Sequence, residues 1–238
     1  MTYSVTVSSL CLGARQRSNK ERSQFVTDSE VLSYVDRAWK ELYDIIVSTY
    51  QDYYMDAYQF TTTTEESYDL PTDFYKVNGV DQFITSQQYI SLRSFQWAER
   101  NRFRYSLVAI NFPFQTLQYH VRGNKIHFIP TPLANHTVKV WYIPRALNLT
   151  TGTPGADETD TVDCHNGWED FIITTAAMWI AMKEESFELA SALKAMKDDI
   201  QSRVTNIGVN RDALAPERTV DIAQINDGIY SGFGWNRF

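Results

Sequence analysis

Two cysteines, Cys11 and Cys164, are all that the 238 residues contain, too few and too separated for a disulfide framework or a zinc site built on thiolates alone. A reducing compartment fits. Long hydrophobic runs are missing too: no window approaches the roughly eighteen apolar residues that span a bilayer. The stretch from Met1 to Gly13 lacks a basic n-region and has a core broken by Thr and Ser, so a cytoplasmic product without a membrane partner is expected. Positive charge is in deficit, 22 Lys and Arg against 29 Asp and Glu, and the net charge of -7 argues against nucleic-acid binding by bulk charge. There is also no Gly-rich phosphate loop, no nucleophile elbow and no His-Glu-x-x-His helix. Nothing recommends an enzyme or a cofactor.

What is present is a change of structural regime around Glu66 to Gly79. Pro71 pushes Leu70 toward an extended conformation, Thr72 and Asp73 suit a turn, and Phe74, Tyr75 and Val77 favour an outgoing strand. Before this point the pattern is helical. Residues 1–25, locally basic with Arg15, Arg17, Lys20 and Arg22 against Glu21, read as an exposed amphipathic arm. Thr27 and Glu30 then form a capping box, and Val31, Val35, Ala38, Leu42, Ile45 and Ile46 place one apolar stripe on a helix expected at about 28–52. Strands are expected from Tyr53 onward.

After a strand over Phe74 to Phe83, Gln87 to Arg100 reads as a short helix, and Arg100, Arg102 and Arg104 as the polar face of a strand. The clearest β signal runs from Tyr119 to Pro130. With Gly123-Asn124 as a two-residue turn, Tyr119 faces Phe128, His120 faces His127 and Val121 faces Ile126. Tyr119, Val121, Ile126 and Phe128 should then be the buried set, with His120, Arg122, Lys125 and His127 on the wetter face. Thr137 to Ile143 adds a strand, closed by Pro144.

Residues 146–163 lack periodicity and read as a long partner-binding loop. From Gly167 the sequence is helical again, with Trp168, Phe171, Ile172, Met178, Trp179, Ile180 and Met182 on nearly every side of the cylinder. Ser186 serves as N-cap of a following helix. Beyond Asn206 the chain keeps large apolar residues but loses any period, and Gly228, Gly232 and Gly234 disfavour a continuous helix.

Chemistry-bearing clusters are few. His120 and His127 would make a cross-strand metal pair, but no third ligand is visible, so no metal is expected. Asp163-Cys164-His165 could mimic a nucleophile and its base, yet sequence neighbours seldom point at one another. Helix entry is the simpler role.

The order of segments carries a resemblance. A capped helix ending in Glu41-Leu-Tyr-Asp, the Tyr68-Asp-Leu-Pro-Thr-Asp-Phe-Tyr-Lys core, a hairpin running into Phe128-Ile-Pro-Thr-Pro, then Val140-Trp-Tyr-Ile-Pro and Gly167-Trp-Glu-Asp opening two helices, resembles the head-to-tail adaptor proteins of tailed bacteriophages. The likeness covers roughly Thr27 to Asn206.

It implies a non-enzymatic virion protein of the neck. Such proteins form a ring of commonly about twelve copies, closed by head-to-tail contacts. The ring would bind the portal protein on one side and a tail or nozzle protein on the other, and pass double-stranded DNA without specific binding.

The expected fold class is α+β: a helical bundle of the long N-terminal helix and two C-terminal helices, an antiparallel β-domain and an extended C-terminal arm. A single body would occupy 1–206, with helices at about 28–52, 167–184 and 187–205 and the β-domain at about 53–145, followed by the arm at 207–238. Ile225, Ile229, Tyr230, Phe233, Trp235 and Phe238 would anchor that arm on the portal. Arg100, Arg102 and Arg104 would serve a subunit interface or the DNA channel, and Thr150, Thr153, Pro154 and Asp157 would face the tail. The rival readings are a virion decoration protein or glycan- or receptor-binding β-domain, and a metal-assisted hydrolase using His120 and His127.

Overall fold

Thr27 starts the longest-range organisation of the chain, because its backbone N–H donates to Glu30 Oε2 at 2.9 Å and so closes the capping box. The computed structural model describes residues 4–50, 52–85, 88–101, 117–149, 161–164 and 167–209. In chain order the strands are β1 (Ser4–Thr6), β2 (Asp56–Thr61), β3 (Ser67–Asp69), β4 (Phe74–Thr85), β5 (Gln88–Ser91), β6 (Arg93–Ser94), β7 (Gln118–Arg122), β8 (Lys125–Ile129), β9 (Thr137–Pro144) and β10 (Thr161–Asp163). The helices are α1 (Val7–Arg17), α2 (Asp28–Thr49), α3 (Glu169–Lys183) and α4 (Phe187–Val209). The protein is α+β.

The first correction concerns the N-terminal segment, which is core and not an exposed arm. Val7, Leu10 and Ala14 recur at helical spacing on α1 and are fully buried. Val7 and Leu10 each contribute on the order of 2 kcal/mol when withdrawn from water, and the smaller Ala14 less. They cover one side of α3, and the helices approach so closely that a Cβ on Gly13 would stand 3.0 Å from Ile173 Cδ1. The basic residues are clamps. Arg17 donates to Thr174 Oγ1 at 2.6 Å and to Asp170 at 2.9 Å, and Arg15 to Val26 O at 2.8 Å and Asp28 at 2.7 Å. Lys20 pairs with Glu184 at 2.9 Å.

Helix α2 ends at Thr49, three residues short of expectation, because Tyr50 leaves helical geometry. Its buried stripe, Val31, Val35, Ala38, Leu42 and Ile46, packs into one core with Phe171, Ile172, Ala176 and Ile180 of α3 and Val204 of α4. At the α3–α4 turn, Ser186 N–H reaches Ala181 O at 2.9 Å and Glu185 N–H reaches Met182 O at 3.2 Å. These two bonds make the six-to-one and five-to-two closure that needs a left-handed residue, and Glu185 supplies it at φ +58°. Helix α3 is not covered on all sides: Trp179 is 37% and Met182 44% exposed.

Among the described residues the remaining strands form two four-stranded sheets, ordered β2-β9-β4-β5 and β3-β8-β7-β6. They sandwich a second core in which Val80, Val138 and Val140 of the first sheet meet Ile126 and Phe128 of the second. All pairings in them are antiparallel except β6–β7. The hairpin register is the one its sequence dictates, with Tyr119 opposite Phe128, His120 opposite His127 and Val121 opposite Ile126, around Gly123 at φ +59°. Ile126 and Phe128 are buried and Arg122 and Lys125 exposed, while Tyr119, Val121, His120 and His127 are all half-buried.

Two further corrections follow. Residues 88–94 are the strands β5 and β6, not a helix. Tyr89, Ile90 and Ser91 are exposed on an edge, and the three-residue spacing of Leu92 and Phe95 reflects a chain that turns between two sheets. The long loop also stops short of Asp163, because Thr161, Val162 and Asp163 pair with Thr6, Val5 and Ser4.

These contacts set the pH limits of the fold. The hydrogen bond from Lys183, at 2.6 Å, and the capping N–H of Thr27 hold the Glu30 carboxyl at about 2 instead of 4.5. Hydrogen bonds from Ser23 and Lys20 lower Glu184 as well. Groups whose pKa falls on folding stabilise above their unfolded pKa and lose that contribution as pH drops through the folded value. Tyr43 is pushed up to about 12, chiefly by burial and then by Tyr75, Asp44 and Asp73, so its contribution is present below pH 10 and lost from 10 to 12. Urea denaturation against pH should therefore show stability falling from about pH 4.5 toward 2 and from about 10 toward 12. Glu30→Gln should flatten the acid limb while leaving the alkaline one in place.

Candidate functional site

Gln96 closes the extended segment and Trp97–Glu99 form a single 3-10 turn, so the chain folds back over the outer face of β7 and β8. Trp97 is thereby laid on the histidine pair. Its ring centroid is 5.5 Å from His120 and 5.4 Å from His127, and Phe95 stacks beside it at 6.3 Å. This cover is why both histidines are half-buried. Burial, then the nearby charges of Arg122, His120 and Lys125, lower the pKa of His127.

Arg100 is not on a strand. It has helical backbone angles after the 3-10 turn, donates from Nη1 to Trp97 O at 3.1 Å, and places its guanidinium carbon 5.6 Å from the Trp97 ring centroid. Arg122, from the end of β7, places its own at 5.5 Å from the same ring. A shallow cavity of about 60 Å³ opens beside them, lined by Glu66, Trp97, Arg100, Asn101, His127 and the Phe128–Thr131 segment. The site offers guanidinium N–H donors and imidazoles against one carboxylate. Among the described residues this suits an anion, and none of them pairs a nucleophile with a base.

The other sequence-derived candidates fare differently. Arg102 and Arg104, the loop residues Thr150, Thr153, Pro154 and Asp157, and the arm residues Ile225, Ile229, Tyr230, Phe233, Trp235 and Phe238 lie outside the described residues. Helix α4 runs to Val209, past the 206/207 boundary drawn from sequence. Cys164 is fully buried under the helical core. Among the described residues no group of three His, Cys, Asp or Glu could hold a metal ion, and no helix is long and apolar enough to cross a membrane. Sequence reasoning missed Trp97 as the organiser of this face. The available signal was an indole three residues before Arg100, a spacing that brings the two together once the chain makes a helical turn.

A second concavity, about 220 Å³, lies where α2 meets the sandwich and is lined by Lys40, Tyr43, Asp44, Tyr75, Arg145 and Ala146. Tyr43 donates to Pro144 O at 2.5 Å and Tyr75 to Asp44 at 2.9 Å, so its tyrosines bind the two layers together.

Against known proteins, the family model described as SU10 adaptor protein matches residues 5–220. No curated protein matches the chain.

Two guanidiniums on one indole make a measurable contribution. Exposed cation–π contacts are worth about 0.5–1 kcal/mol each. Trp97→Leu should lower unfolding free energy by about 1 kcal/mol beyond the effect of the same change in an Arg100→Gln/Arg122→Gln background. Chemical denaturation of the four proteins measures that coupling.

Proposed function

We infer that this chain, which belongs to the SU10 adaptor protein family of phage head-tail adaptors, is a ring-forming connector between portal and tail. Its class is that of a structural phage adaptor, a virion component that works against other head or tail proteins. The finer reading is ours: a homo-oligomeric ring in the neck, the portal protein on one side, the tail or nozzle protein on the other, and DNA passing through the lumen. The role is structural and not catalytic.

The single observation that carries this reading is the family match over residues 5–220. What supports self-association is the uncovered apolar surface of the α3–α4 hairpin. Trp179 and Met182 on α3, and Phe187 at 66% and Met196 at 49% exposure on α4, are large side chains left in water by the monomer. Faces of this kind commonly mark interfaces. Contacts between unlike faces of neighbouring copies generate a ring when the rotation closes. Residues 210–238, beyond the end of α4, act in this reading as an arm that docks on the portal through its spaced aromatic and aliphatic anchors. The acidic whole lets DNA slide, because tight binding would require many phosphate-neutralising cations.

Mass measurement of the chain mixed with its portal tests the proposal. A closed ring of about a dozen copies is expected by the closure argument, and a strictly two-fold dimer would remove it. Deleting residues 211–238 should leave soluble, folded protein that no longer joins portal-containing heads, whereas an unfolded truncation would put the arm in the core.

A further inference from the structure

The sheet β2-β9-β4-β5 ends on two strands that lack the ordinary protection of an edge. Among the described residues no strand pairs with the outer side of β2 or of β5. Exposed edges commonly carry Lys or Pro, or are very short, because a row of open N–H and C=O groups invites another chain. β5 is Gln-Tyr-Ile-Ser and β2 is Asp-Ala-Tyr-Gln-Phe-Thr, so neither holds a Lys, Arg or Pro, and their only charge is Asp56 at the first position of β2. The edges of the other sheet differ: β3 and β6 are three and two residues long and carry Asp69 and Arg93. All of β5 is exposed, with Tyr89 at 64% and Ile90 at 38%.

The two edges also fit each other. Leu92 N–H donates to Val80 O at 2.8 Å, and Thr62 N–H donates to His136 O at 2.7 Å. The alternation of an antiparallel ladder then turns the backbone groups of Tyr89 and Ser91 outward on β5, and those of Gln59 and Thr61 outward on β2. Across the ladders, Ser91 lies level with Asp81, Lys139 and Gln59, and Ile90 with Gln82, Val138 and Phe60. All pairings in this sheet are antiparallel, so β5 runs opposite to β2.

We propose that β5 of one copy pairs antiparallel with β2 of the next, Ser91 opposite Gln59 and Tyr89 opposite Thr61, so that this sheet continues from copy to copy around the ring. The inference rests on the ring reading and names a contact within it. The two edges are different strands, so the contact is heterologous, and copies of a closed ring are related by rotation without rise. With the strands along the ring axis, levels carry over from one copy to the next, and the level of Ser91 is that of Gln59. This register joins outward groups to outward groups. It also lays Ile90, exposed in the single copy, beside half-buried Phe60 on the inner face. A one-residue slip would oppose the outward groups of β5 to residues already bonded to β9, and would exchange the faces.

The test uses full-length chains in a Cys11→Ser background, leaving buried Cys164 in place. Ser91→Cys and Gln59→Cys replace exposed side chains on the outer face. Opposed residues of this kind have Cα atoms about 5.5 Å apart, within the roughly 4.4–6.8 Å that a disulfide spans. Chains carrying one or the other are mixed, assembled with the portal and mildly oxidised, and the joined peptides are identified by mass spectrometry.

Disulfides joining position 91 of one chain to position 59 of another are expected. Tyr89→Cys with Thr61→Cys should do the same, whereas Ser91→Cys with Thr61→Cys, two residues out of register, should give little. Adding Ile90→Lys should cut the yield about tenfold or more, because the contact would bury that charge unpaired. Its circular dichroism should match the parent's, and the disulfides alone decide the matter if it does not fold. Amide exchange over 88–91 should be fast in the single chain and slow in the ring. Rings that assemble without these disulfides, or that ignore Ile90→Lys, overturn the contact but leave the ring standing. Disulfides joining 91 to 91 would replace it with a two-fold pairing, and protection of 88–91 in the single chain would show that edge covered from within; either result overturns it. Absence of any ring sinks both readings together.

Discussion

Strand β9 is shared by two cores, and the period of a β-strand decides how. Val138, Val140 and Tyr142 alternate into the sandwich. Ile143, one residue out of phase, points the other way and is fully buried among the helices. A one-residue slip of β9 against β2 and β4 would exchange those faces and unmake both cores at once. The junction is reinforced locally. Asp36 on α2 is buried, accepts Leu149 N–H at 2.8 Å and pairs with Lys40 at 2.6 Å, and Tyr43 closes onto Pro144. Helices and sandwich are therefore one body, because a single strand has obligations to both.

The helical side has a comparable dependency in α3. Thr174, Thr175, Ala176 and Ala177 give it buried residues on adjacent sides, and no pair of partners could cover them all. Helices α1, α2 and α4 each take one side. The ionic residues gather at the ends of this packing, where Glu30 with Lys183, Glu184 with Lys20 and Asp170 with Arg17 tie α1 and α2 to the two ends of α3. They are partly exposed pairs, worth little singly, and they act chiefly by fixing which ends meet.

Sequence made some of this legible for definite reasons. The hairpin was readable because a Gly-Asn turn and strict alternation agree, and α2 because a capping box precedes a single stripe. Helix α1 was not. Its Ser, Gly and Cys residues give little amphipathic contrast, and its burial follows from α3 needing a third neighbour, a nonlocal requirement. Residues 88–94 misled because Tyr89, Leu92 and Phe95 mimic helical spacing while belonging to a chain that passes from one sheet to the next. At the candidate site, Arg100 and the facing histidines were visible from sequence, but the indole that gathers them was not, since its position depends on a 3-10 turn. The fold class and family were recoverable because they reside in the order of segments.

The shared strand also has a mechanical meaning. β9 sits in the interior of its sheet, laddered to β2 on one side and β4 on the other. A pull that separates helices from sandwich along β9 loads those ladders in shear, many hydrogen bonds resisting together, instead of peeling them one by one. Strain entering at the helical end passes along a single polypeptide axis into both flanking strands. The body is therefore stiffest along that direction, where both ladders share the load.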